Sequence, residues 1–348
     1  MRSTSRVLVL SAVMALAVAC GTAPAPHESR GATATTSTAS VPATAARAAF
    51  TTGHSAWVAV SVARLWQSPT APRPVDAPAL KAPVRFRAWL RAMTLSQRRA
   101  LDLHSDTEAL WGERVVVVRL RPGWAKVVVP SQPSQKDSRG YPGWVPLRQL
   151  TATTPRRTAD LATVTTRTAW LRSDDTAATR TAEISFGTDL PVLGRTGGYL
   201  RVATPRGAVR RIAARAVVVH ARNTPAIAPT AASLVRSART FLGLPYLWGG
   251  LSGFGLDCSG LVWLDHRAHG ITIPRDALPQ SQHGRVVTKR APGDLLFYAH
   301  NGLVHHVTMY IGNGQVIQAP HTGASVEISA FSAQPLRSEY VGARRYLN

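Results

Sequence analysis

The stretch "GLDCSGLVWLDHRAHG", residues 255–270, decides how the chain is read. A glycine-rich run gives way to apolar residues at helical spacing, an aspartate stands just before a cysteine, and Gly270 marks a stop. The pattern predicts a helix from about Cys258 to Gly270 with a thiol at its N-terminus. Free backbone N–H groups and the positive end of the helix dipole favour thiolate over thiol there, as a nucleophile at neutral pH requires. A packed structural cysteine suits the same position, so position alone leaves both readings open.

A nucleophilic thiol needs a base that later protonates a leaving amine, and imidazole is the usual one. In "PGDLLFYAHNGLVHHVTMYIGNGQVIQAP", residues 292–320, "GDLLFYA", "HHVTMYIG" and "GQVIQAP" read as successive strands. A tight turn at Gly312-Asn313-Gly314 joins the last two. Val307, Met309 and Ile311 form an apolar face, so His306, Thr308 and Tyr310 point the other way, and small Thr308 leaves room for an imidazole. His305 falls on the core side and His300 in the preceding loop, which makes His306 the candidate base. Gln318 lies as far beyond Gly312 as His306 lies before it, so the hairpin can set the two side by side and the amide can orient the ring. His321, on the less regular "APHTG" stretch, is the alternative.

Upstream the chain repeats itself. "GERVVVVRLRPGWAKVVVP" starts at Gly112 and "GTDLPVLGRTGGYLRVATP" at Gly187, and in both an aromatic (Trp124, Tyr199) and a proline (Pro130, Pro205) fall at matching places. Each is a hairpin pattern of β-branched runs around a glycine turn, and "WVAVSVARLWQSP" and "ATVTTRTAWLRSD" supply an earlier strand to each. Two small β-barrels in tandem follow. The first carries an insertion: Phe86, Trp89, Leu90 and Met93 mark one helical face, a core stripe, and Thr94 with Gln97 has capping-box spacing before a second helix. "NTPAIAPT" (223–230) reads as a linker, and "SLVRSARTFLG" as a helix with Ser233 as N-cap.

The 348 residues carry 41 basic and 18 acidic side chains, a net charge of +23. Residues 1–20 hold Arg2 and Arg6 and then an apolar run too short to span a bilayer, the pattern of an export leader. "LAVAC" resembles a lipobox with Cys20 as the lipidated residue; a plain secretory leader is the alternative. Residues 21–49 lack large apolar residues, and 21–50 reads as a tether. The basic charge then points to anionic envelope polymers rather than nucleic acid. With Cys20 acylated, Cys258 has no disulfide partner, and a lone exported thiol is usually kept for its reactivity.

"PYLWGG", "DCSGLV", "IPRDA", "PGDLLFY" and "HVTMYIGNGQVIQAP", in this order, resemble the NlpC-type papain-like cell-wall cysteine peptidases, and the two repeats resemble bacterial SH3-like domains. The resemblance implies an α+β catalytic domain over 228–348 behind SH3-like domains at 51–152 and 156–222. It implies a monomeric enzyme without metal or cofactor that cleaves peptidoglycan stem peptides between γ-D-glutamate and a diamino acid, usually diaminopimelate. Cys258, His306 and Gln318 take the catalytic positions, with Gln318 where histidine is commoner. Tyr246 matches an oxyanion-hole tyrosine, and Trp248, Asp257 and Ser259 match cleft positions. From the first SH3-like domain, Tyr141 and an acidic residue, Glu113 or else Glu108, are expected to hold the free amino group of an N-terminal L-alanine. Amidase cleavage next to muramic acid, transfer in place of hydrolysis, and wall binding without catalysis are the rival readings.

Overall fold

The computed structural model describes residues 50–333 and 335–347. The leader reading of residues 1–20, with Cys20, and nearly all of the tether lie outside them. Phe50 is the exception: the residue expected to end the tether is buried in the core of the first barrel.

The internal repeat is a repeat of topology. The first seven-stranded sheet runs, edge to edge, Ser105–Leu110, Val62–Trp66, Tyr141–Pro146, Trp124–Val129, Arg114–Arg121, Ser55–Val58, Leu150–Thr151. The second runs Arg180–Ser185, Thr168–Arg172, Val209–Ala213, Tyr199–Ala203, Asp189–Thr196, Asp160–Val164, Val217–Ala221, the same order strand for strand. Alternation explains the first core: Val115 and Val117 point inward while Arg114, Arg119 and Arg121 stay exposed. Each such buried valine is worth roughly 1.5–3 kcal/mol. Gly112 and Gly187 have φ of 82° and 74°, a region where a side chain is strained, and so the repeat keeps glycine at both.

The insertion forms helices Phe86–Ala92 and Leu95–Arg99. Thr94 accepts from the Gln97 N–H while the Gln97 side chain accepts from the Thr94 N–H, a capping box. Phe86, Trp89 and Met93 are buried, and Phe86 packs on Phe254 with ring centroids 5.3 Å apart, so the insertion ties the first barrel to the C-terminal region.

That region has helix Ala231–Arg239, the cysteine helix Cys258–Ala268, a short helix Ala277–Gln282 and a six-stranded antiparallel sheet. The sheet order is Arg285–Val286, Tyr340–Arg345, Leu295–His300, Leu303–Gly312, Gln315–Gln318, Glu327–Ala330. The first of these helices is capped by Thr230, whose side chain accepts from the Ser233 N–H. Ser233, expected as the cap, instead sits three residues in and bonds back to the Thr230 N–H.

Candidate active site

Asp257 caps the cysteine helix: its side chain accepts from the Gly260 N–H at 2.6 Å, which fixes the helix start at Cys258. A Cβ at Gly260 would lie 2.1 Å from the Gly250 carbonyl oxygen, so only glycine lets the preceding loop press against this first turn. Arg275, fully buried, clamps the same carboxylate with bonds of 2.8 and 3.1 Å and also donates to Ser259 Oγ at 2.9 Å. Its Nε reaches Thr107 Oγ1 of the first barrel at 2.9 Å. Arg64 is buried one strand away, paired with Glu108 at 3.0 Å and donating to the Trp248 carbonyl at 2.8 Å. Glu108 in turn accepts from the Leu251 N–H at 2.9 Å. Strand Ser105–Leu110 is thus the bed on which the loop before the cysteine is laid.

On the sheet side, Met309 pairs with Ile317 and Tyr310 with Val316, which puts His306 and Gln318 on one face. Gln318 Oε1 lies 2.8 Å from His306 Nε2. The Gln318 amide nitrogen donates to Glu327 Oε1 at 3.2 Å and Ser329 Oγ at 3.1 Å. A carboxylate only accepts, so Glu327 fixes which end of the amide faces the ring. The amide oxygen also only accepts, so Nε2 carries the proton and Nδ1 holds the lone pair. The ring of His306 is thus oriented by a chain of three side chains, Gln318, Glu327 and Ser329.

Cys258 and His306 line one cleft of about 860 Å³. Burial pushes the Cys258 thiol up to about 12, with the Asp257 charge adding to it and the Val307 and Ser259 backbone groups opposing. Burial likewise brings His306 down to about 4, partly offset by the Gln318 bond. Desolvation thus works against the thiolate that the helix terminus favours. At neutral pH the cleft therefore holds a neutral thiol and a neutral imidazole.

The low value at His306 is matched at His266, which burial also brings down to about 4. Both rings are neutral in the folded chain, whereas below their ordinary value of 6.5 the unfolded chain takes up the protons. Stability is therefore lost as pH falls from 6.5 towards 4, by about 2 kcal/mol for each ring at pH 5. Urea unfolding at pH 7 and pH 5 should show a drop of about 4 kcal/mol from these two groups. Burial raises the carboxyls of Asp265, Glu108 and Asp276, which act in the opposite direction, so the comparison is made against His266→Gln; a pH dependence unchanged in that variant would contradict the burial of His266 as a neutral group.

The other expected residues divide. Tyr246, Trp248, Asp257, Ser259 and Tyr141 all line the cleft. Tyr246 is buried, and desolvation, with the nearby Asp257 charge adding to it, holds its hydroxyl protonated as a donor. Trp248 is 41% exposed at the mouth. Glu113 lies elsewhere: it accepts from the Leu110 N–H at 2.8 Å and from Ser131, and belongs to a separate cavity. Glu108 is sealed under the loop by Arg64 and does not line the cleft. The first barrel's acidic contribution is Asp106, held by Lys136 at 2.9 Å. Asp276, whose carboxylate accepts from the Tyr141 hydroxyl at 3.4 Å, completes that end of the cleft. His305 pairs with Glu339 at 3.2 Å, and His321 bonds a backbone carbonyl rather than His306. Although the chain carries +23, its cleft is lined by five carboxylates and one lysine. Among the described residues no group of three His, Cys, Asp or Glu side chains is placed to hold a metal ion.

The chain matches the NlpC/P60 family over residues 243–345 and the YKFC SH3b2 domain over residues 164–220. It is 38% identical over 315 residues to a gamma-D-glutamyl-L-lysine dipeptidyl-peptidase of Bacillus cereus, covering 86% of this chain and 95% of that protein. To the protein of the same name from Bacillus subtilis it is 39% identical over 292 residues, covering 82% and 96%. A solved structure of an NlpC/P60 family protein from Bacillus cereus matches with a TM-score of 0.79 at 38% identity, over 84% of this chain and 100% of that one. The second barrel is thus an SH3b-type domain and the C-terminal region an NlpC/P60 domain, and the first barrel repeats the strand order of the second.

Proposed function

Since this chain belongs to the NlpC/P60 family and is a peptidase acting on the cell wall, we propose that it cleaves stem peptides after γ-D-glutamate and before the diamino acid, on stems whose N-terminal L-alanine is free. The observation that carries this reading is the pairing, in one cleft, of the Cys258–His306–Gln318 set with an acidic end built by the first barrel. The two Bacillus relatives are named for a γ-D-glutamyl bond, which supports the same choice here.

In this reading Cys258 Sγ attacks the γ-carbonyl carbon of D-glutamate while His306 Nδ1 takes the thiol proton. The oxyanion is held by the Cys258 backbone N–H and the Tyr246 hydroxyl. His306 then gives the proton to the departing amine of the diamino acid, leaving a thioester. Water, deprotonated by the same nitrogen, attacks the thioester, and the L-Ala-γ-D-Glu dipeptide leaves as the thiol is restored. Trp248 at the mouth offers an apolar face to the bound stem. Asp257 and Asp276 give the far end a negative field and Tyr141 an oxygen, which together favour an N-terminal ammonium over an amide-linked stem. Asp106, with its half-exposed Lys136, rims that end.

Incubation with L-Ala-γ-D-Glu-diaminopimelate peptides, followed by mass spectrometry, should show release of the L-Ala-γ-D-Glu dipeptide. Cleavage at any other bond, or release of muramic acid from a muropeptide, would contradict the assignment; a lysine-containing stem run in parallel identifies the diamino acid accepted.

A further inference from the structure

A second cavity, of about 560 Å³, opens where the two barrels meet the far end of the cysteine helix. It shares no lining residue with the cleft that holds Cys258. Its wall takes Trp111 from the turn before the first repeat hairpin, Arg156 and Arg157 from the segment between the barrels, Arg222 from the end of the second barrel, and Arg267 from the last turn of the cysteine helix.

Three donor atoms of residues in that wall, Trp111 Nε1, Arg222 Nη2 and Arg267 Nη1, are sealed from solvent and have no hydrogen-bond acceptor, although Arg222 Nε donates to the Thr158 carbonyl at 2.9 Å and Arg267 is ion-paired with Glu113. Buried donors are almost always paired, and charged ones are the most costly to leave bare, so an oxygen-bearing ligand in the cavity these residues line would satisfy them once their side chains turn to it. The carboxylates present are committed elsewhere. Glu113 takes the Leu110 N–H and the Ser131 hydroxyl, and Asp189 takes the Thr163 hydroxyl. Arg267 stands 3.8 Å from Glu113, beyond hydrogen-bond reach. Five arginines face two carboxylates across the cavity.

We infer that this junction is an oxyanion-binding site, taking a phosphate or carboxylate group of the kind borne by envelope polymers and wall fragments. Guanidinium forks and an indole N–H are all donors, so they select an acceptor-only group and reject cations and ammonium groups. The site is independent of the peptidase cleft in its lining. It also lies on the helix that begins at Cys258, nine residues and roughly 14 Å along the axis from the thiol.

The test uses the folded protein with 15N-labelled tryptophan. The indole N–H resonance of Trp111, assigned by its loss in Trp111→Phe, is followed while inorganic phosphate or acetate is added at ionic strength held constant with chloride. A saturable shift with either anion is expected, and the anion that saturates at lower concentration gives the class of group bound. Arg222→Gln and Arg267→Gln should each weaken binding roughly tenfold, the loss of one charge-assisted hydrogen bond. Arg222 is partly exposed, so its variant retains the fold, and stem-peptide hydrolysis by that variant should equal that of the parent chain. No saturable shift with either anion, or saturation unchanged in Arg222→Gln, would overturn the assignment.

Discussion

Cys258→Ala is expected to abolish stem-peptide hydrolysis, a loss of roughly 10⁴–10⁶-fold in kcat, while the protein stays folded. The thiol is buried at the first position of its helix, and what holds that helix start is the Asp257 cap and Arg275, not the sulfur. Removing the sulfur therefore costs about 1 kcal/mol for the small cavity left behind. Hydrolysis measured with enough enzyme to detect slow turnover, together with the unfolding midpoint, separates loss of chemistry from loss of fold. Turnover surviving in a folded Cys258→Ala protein would remove the cysteine from the mechanism. His306→Ala should be equally damaging, because nucleophile and base act as a unit and their losses do not add.

Arg275→Met is expected to have the largest effect on stability. The guanidinium is fully buried, and it is the charge partner of an aspartate that flanks the thiol. Without it, the Asp257 carboxylate is left buried and unpaired, which costs about 3–5 kcal/mol. Arg275 also pulls the Cys258 thiol downward, so its loss pushes the thiol further from the ionised form and slows attack. Adding Asp257→Asn should recover part of the lost stability, since asparagine caps a helix as well as aspartate and leaves no bare charge. Urea unfolding of the two variants reads this out; an Arg275→Met protein as stable as the parent would show that the pair is not held in isolation from water.

The meeting of His306 and Gln318 was legible because it is local. The strand period of two, with a register shift beside the Gly312-Asn313-Gly314 turn, places His306 and Gln318 on one face with nothing needed from the rest of the chain. The repeat at Gly112 and Gly187 was legible for the same reason, since hairpins carry their own turn chemistry. The acidic end of the cleft was not. It is assembled by strand Ser105–Leu110, more than a hundred residues away from the cysteine, and both faces of that strand are covered, so no alternation betrays which side faces the site. Hence Glu113 and Glu108 were expected where Asp106 stands. Arg275 and Asp276 sat in view within "IPRDA", but their roles depend on Thr107 and Tyr141, which only folding brings to them. The thiol's environment was hidden likewise: a helix terminus can be read from sequence, whereas the degree of desolvation cannot.

The central claim is that a cysteine peptidase cleft is closed at one end by a barrel that admits a free amino terminus. Its most direct test is the ratio of kcat/KM for an L-Ala-γ-D-Glu-diamino acid peptide to that of its N-acetylated counterpart. Acetylation removes the ammonium that Tyr141 and the neighbouring carboxylates are placed to meet, so the free peptide should be preferred by at least about a hundredfold. Equal values, or a preference for the acetylated peptide, would contradict the account.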